Sequence, residues 1–80
     1  MLNTQSNSQV ELDATGLNCP LPILRAKKSI NSLAAGQVLH VTATDPGSVK
    51  DFESFCKQTG NKLLSSGEAD GKFTFEIEKV

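Results

Sequence analysis

Val10, Leu12 and Ala14 alternate with Glu11 and Asp13. A period of two puts the apolar side chains on one face of a half-buried strand. The period then changes. Over residues 20–34, Ile23, Ala26, Ile30, Leu33 and Ala34 share an arc of roughly 100° when successive residues are set about 100° apart. That is the stripe of a core-facing helix, and Gly36 stands just past its end. Leu21 and Leu24 fall outside the arc. Residues 38–44 are rich in β-branched side chains and read as a second strand. After the turn Asp45-Pro46-Gly47, Ser48 with Asp51 three residues on resembles a capping box. It opens a second helix, which runs to about Thr59 and is stopped by Gly60, with Val49, Phe52, Phe55 and Cys56 as its apolar face. A third strand is expected over 62–67 and a hairpin turn at Asp70-Gly71. The fourth strand alternates Phe73, Phe75 and Ile77 with Thr74, Glu76 and Glu78.

The order is βαβαββ. Alternating strands imply a sheet covered on one face, since a fully covered sheet reads apolar throughout. The right-handed crossover rule puts both helices on the same side. The expected fold is an α/β (α+β) two-layer sandwich: a four-stranded mixed sheet with two helices on one face.

Composition narrows the function. Eighty residues make one domain, expected over 10–80. Residues 1–9 are polar, lack the basic and apolar regions of a signal peptide, and are expected to form a flexible tail on a cytoplasmic protein. A net charge of −1 does not favour direct nucleic acid binding. No run approaches the ~18 apolar residues of a membrane span. Two cysteines and one histidine are a poor metal set, without the paired spacing that zinc sites use. Two cysteines also make a thin disulfide framework, so both thiols are expected to be free in a reducing compartment.

The candidate chemistry sits in "GLNCPLPI", residues 16–23. Cys19 falls where a helix N-cap would be, beside unpaired N–H groups and a partial positive charge. Such positions lower a thiol's pKa, and the thiolate is the nucleophile. Pro20 and Pro22 fit the first turn, where no intrahelical N–H is needed, and stiffen it. They leave the Leu21 N–H as the near backbone donor for the sulfur. No acidic residue occurs between Ala14 and Thr44, whereas Arg25, Lys27 and Lys28 do, and they are read as a basic collar that favours an anion and attracts an acidic partner. Leu21 and Leu24 are read as part of a docking patch around Cys19. The motif is not C-x-x-C, so it carries no resolving thiol. Cys56, on an apolar stripe, is expected in the core. His40 lies mid-strand on the face opposite Leu39, Val41 and Ala43, and is expected to be a sheet-face residue rather than a catalytic base.

These residues resemble the TusA/SirA family of small bacterial sulfur-carrier proteins. The match lies in "LDATGLNCPLPILRAKKSI" (12–30), "ATDPGSVKDFESFC" (43–56) and the final hairpin, and it covers nearly everything but the tail. The resemblance implies a βαβαββ sandwich. It implies that Cys19 accepts sulfane sulfur as a covalent persulfide, needing no metal or organic cofactor. The implied donor is a cysteine desulfurase or a rhodanese-type protein, and the acceptor is a downstream protein thiol. Destinations in the family include tRNA thiolation, molybdenum cofactor assembly and sulfur oxidation. It also implies that Asp45 lies near the cysteine loop, although Asp45 beside Pro46 reads equally as a turn residue. A persulfide is an anion at neutral pH, which suits a helix N-terminus with a basic collar. The protein is expected to be a sulfurtransferase acting as a monomeric carrier.

Two other classes stay open. In one, the domain is a binding or regulatory module and Cys19 merely caps a helix. In the other, Cys19 senses peroxide through a sulfenic acid, which calls for a nearby resolving thiol.

Overall fold

The computed structural model describes residues 9–80; most of the predicted tail, residues 1–8, lies outside the described residues. Six elements follow in the predicted order: β1 (Gln9–Ala14), α1 (Leu21–Asn31), β2 (Val38–Ala43), α2 (Ser48–Thr59), β3 (Lys62–Ala69) and β4 (Lys72–Glu78). Gln9, placed in the tail by its polarity, is instead the first residue of β1 and pairs with Val38.

The sheet order is β1-β2-β4-β3. β1 and β2 are parallel, joined through α1, and Ala14 lies beside Ala43 at the end of the pair. β4 runs antiparallel to both neighbours, so α2 carries the chain from β2 across β4 to the far edge. The register sets Val41 against Phe75 and Leu39 against Ile77. Because side chains alternate along a strand, this puts all four on the helix-facing side, and all four are fully buried. Ile23, Ala26 and Ile30 of α1 and Phe52, Phe55 and Cys56 of α2 close over them in one cluster. The rings of Phe52 and Phe75 stack with centroids 4.5 Å apart. Burying each such ring contributes about 1.5–3 kcal/mol. The two-layer sandwich with both helices on one face is therefore the observed fold.

The differences are at element ends. α1 stops at Asn31, short of the predicted Ala34. Its stripe does not extend through Ala34, which is exposed, while Leu33 still packs at the core's margin. Tighter bonds take over after Asn31: Ser32 N–H donates to Ser29 O and Leu33 N–H to Ile30 O. The Gln37 side chain then accepts from Ala34 N–H at 2.7 Å, which folds the connection into a closed loop. β3 runs two residues beyond the predicted end because the hairpin pairs up to Ala69–Lys72. Asp70 and Gly71 have φ of 54° and 77°. This is the left-handed pair that a two-residue hairpin turn requires. A register shift between Leu63 and Ser65 leaves Leu64 unpaired and exposed. α2 ends as predicted, at Gly60 with φ 81°. No helix among the described residues is long and apolar enough to cross a membrane.

Candidate functional site

Cys19 is exposed, on the loop that links β1 to α1. Two sets of bonds hold that loop. Thr15 donates its N–H and its hydroxyl to Asp13 Oδ1, at 3.0 and 2.7 Å. Gly16 N–H donates to Thr44 Oγ1 at 2.9 Å, pinning the loop to the end of β2. Thr44 was not among the residues singled out by pattern; its role depends on parallel strands ending side by side.

The helix start corrects one expectation. The N-cap is Pro20, with no side-chain cap hydrogen bond, so Cys19 lies one residue outside the helix. The Cys19–Pro20 peptide is cis. Leu21 N–H does not serve the sulfur: it donates to Asn18 O at 2.8 Å. Pro22 sits at the second helical position and is fully buried, so it anchors the turn in the core as well as stiffening it. Leu21 and Leu24 are exposed, at 47% and 51%, as their place outside the apolar arc requires.

The electrostatics correct a second expectation. Cys19 Sγ donates to Asp51 Oδ2 of α2 at 3.0 Å. This hydrogen bond comes first among the influences on the thiol, followed by desolvation and the charges of Asp51 and Asp45, and all of them push its pKa up. The sequence has no acid between Ala14 and Thr44, but the fold brings the start of α2 against the cysteine loop. Arg25, Lys27 and Lys28 are exposed, and none is among the influences on the sulfur. The expected basic collar is therefore not what sets the charge state of the thiol. Lys27 instead borders a groove of about 180 Å3 between the helices, with Ile23, Asp51, Ser54, Phe55 and Gln58.

Asp51 is also not the partner in a capping box. α2 is capped at Gly47, without a side-chain hydrogen bond, and Ser48 is buried with its Oγ unpartnered. Asp51 is therefore the site residue that the capping pattern concealed. A signal was present: positions 51, 54, 55 and 58 share the helical spacing that faces a neighbouring helix. Asp45 is half-buried with a buried, unpartnered Oδ2. A Cβ added to Gly47 would come within 2.9 Å of that oxygen and 3.9 Å of Cys19 Cβ. The first of these is the movable end of a side chain and the second an ordinary contact distance, so Gly47 marks where the turn before α2 passes the cysteine loop, and Asp45 lies beside that loop.

The remaining candidates separate cleanly. Cys56 is buried, and desolvation pushes its thiol up. His40 Nδ1 lies 2.8 Å from Glu11 Oε1 across the β1–β2 pair, on the sheet face away from the helices. Among the described residues no group of three His, Cys, Asp or Glu is placed to hold a metal. What remains is one exposed thiol on a stiff turn, open to another macromolecule and backed by two carboxylates.

Comparison with known proteins agrees on one family. The family model for sulfurtransferase TusA matches residues 10–79. A sulfur carrier protein TusA from Allochromatium vinosum is 71% identical over 86% of this chain and 91% of that protein. Another from Pseudomonas entomophila is 47% identical over 85% of each. The crystal structure of a SirA-like protein from Desulfitobacterium hafniense superposes with a TM-score of 0.77, at 30% identity, over 85% of this chain and 93% of that one.

Proposed function

This chain belongs to the TusA family, and from that premise we propose that it is a sulfur carrier holding sulfane sulfur as a persulfide on Cys19. The supporting observation is the contrast in access: Cys19 is exposed on the C-P-x-P turn, while Cys56 is buried. In loading, Cys19–SH meets a donor cysteine persulfide. The Cys19 sulfur bonds to the terminal sulfur, the donor S–S bond breaks, and the donor sulfur leaves with the electron pair and takes up the proton. Delivery is the same exchange onto an acceptor thiol, with no net oxidation. This relay needs a donor and an acceptor protein and no metal or organic cofactor. A cysteine desulfurase or a rhodanese-type protein fits as donor. Acceptors in tRNA thiolation, molybdenum cofactor assembly or sulfur oxidation fit the chemistry equally.

The exposed Leu21 and Leu24, next to Arg25, Lys27 and Lys28, form the docking surface in this reading: an apolar centre with a basic rim, suited to an acidic partner. The basic residues act on the partner, not on the sulfur. The work takes place in the cytoplasm, with the carrier as a monomer. The alternative of Cys19 as a helix cap has no geometric support, since the cap position belongs to Pro20.

Intact mass after incubation with cysteine and a cysteine desulfurase, or with thiosulfate and a rhodanese, tests the reading. Wild type and Cys56→Ser gain one sulfur, and Cys19→Ser gains none. No gain in wild type with either donor rejects the carrier.

A further inference from the structure

The carboxylates around Cys19 are the feature that sulfur carriage alone does not require. A carrier that loads by nucleophilic attack would be served by positive charge. Here Cys19 Sγ donates to Asp51 Oδ2 at 3.0 Å. Asp45 places a buried, unpartnered oxygen on the same side, separated from the Cys19 Cβ by Gly47. From α1, the facing charged group at the groove is Lys27. The influences on the sulfur all favour its protonated form.

We propose that Asp51 is a positioning residue that latches the Cys19 sulfur in its protonated state at rest, with Asp45 backing it. The consequence for sulfur transfer rests on the carrier reading. When a small thiolate attacks the terminal sulfur of Cys19–S–SH, the bond between the two sulfurs breaks. The electron pair stays on Cys19 Sγ, and the small thiol leaves as a persulfide. The departing Cys19 thiolate forms against the Asp51 charge. A more basic leaving thiol departs more slowly. Loading removes the S–H that the latch holds, so in the loaded protein it is the Asp51 charge, acting on the thiolate that would depart, that slows loss of the cargo to small thiols. Release falls to a docked partner that brings a Lys or Arg to these carboxylates.

The test uses the unloaded protein first, which makes it independent of whether sulfur is carried. The rate of Cys19 alkylation by iodoacetamide is followed against pH in wild type, Asp51→Asn, Asp45→Asn and, as a charge control on the exposed side of α2, Glu53→Gln. With Asp51→Asn the midpoint moves to lower pH, and at pH 7 the rate rises. A less basic thiolate is also a weaker nucleophile, so the gain is about two- to fivefold. Asp45→Asn shifts the profile in the same direction by less, and Glu53→Gln matches wild type. A midpoint in Asp51→Asn that stays in place or rises overturns the latch. In the second arm, the loaded proteins are exposed to glutathione, and Asp51→Asn loses its sulfur faster than wild type. Equal loss overturns the protective role. Failure of every protein to load rejects the carrier reading and leaves the latch to be decided by the alkylation profile.

Discussion

Cys19 and Cys56 are the same side chain in two settings. Cys19 stands on a loop just outside α1, exposed and bonded to Asp51. Cys56 sits on the inner face of α2, in the cluster with Phe52, Phe55 and Phe75. Both thiols have raised pKa values, but for different reasons. Asp51's accepting oxygen leads at Cys19, and desolvation acts at Cys56. One cause can be relieved by a partner that neutralises a carboxylate. The other is relieved only by opening the core. A raised pKa is therefore compatible with function at the first site and marks inertness at the second. Access, together with a reversible cause, distinguishes them.

The largest expected difference between the two is in reactivity. In the native protein, iodoacetamide modifies Cys19, while Cys56 waits for unfolding. Peptide mapping of a time course should show a ratio of at least about 10³ in favour of Cys19, because core groups open only with the global transition. In denaturant the two rates should converge. Comparable native rates would mean that α2 opens locally, and the contrast would collapse.

A smaller effect is expected on stability. Cys56→Ser puts a hydroxyl into an apolar cluster and should cost about 1–3 kcal/mol in urea unfolding. Cys19→Ser, at an exposed loop position, should stay within about 0.5 kcal/mol of wild type. A reversal of that order would place Cys56 outside the core.

The smallest effect is alkaline. The unfolded thiols ionise from about pH 8.5, while both folded thiols resist ionisation because their pKa values are raised. Their contribution is fully present below that pH and is lost as pH rises through the folded values. Stability should therefore decline above about pH 8.5, and Cys56→Ala should decline less steeply. An unchanged slope would show that Cys56 is not desolvated in the folded state.

Those contrasts also locate what could be read in advance. The two-period strands, the helical stripes and the turn residues at Gly60 and Asp70-Gly71 are local signals, and the sandwich followed from them. The exposure of Leu21 and Leu24, the burial of Cys56 and the sheet-face position of His40 followed as well, because helix and strand periodicity determine which way a side chain points. Element ends were less legible. α1 closes early through Ser29, Ile30 and Gln37, which form a loop whose bonds depend on the positions of its flanking elements.

The site divides the same way. The sequence by itself determined which sulfur is available, since "CPLP" opens a helix and the Cys56 stripe closes a core. It also determined the family, since the motif spans the strand–loop–helix junction. The charge around that sulfur was decided only by tertiary structure. Along the chain, Cys19 is followed by Arg25, Lys27 and Lys28, and acids are absent until Asp45. In the fold, parallel β1 and β2 end side by side, so the loops after both strands meet. That places Asp45, Gly47 and Asp51 at the sulfur, while Arg25, Lys27 and Lys28 stay exposed on α1, with Lys27 at the groove it shares with Asp51. Periodicity reports which face a residue is on. Electrostatics depends on distances between residues far apart in sequence, and those are set only when the sheet assembles.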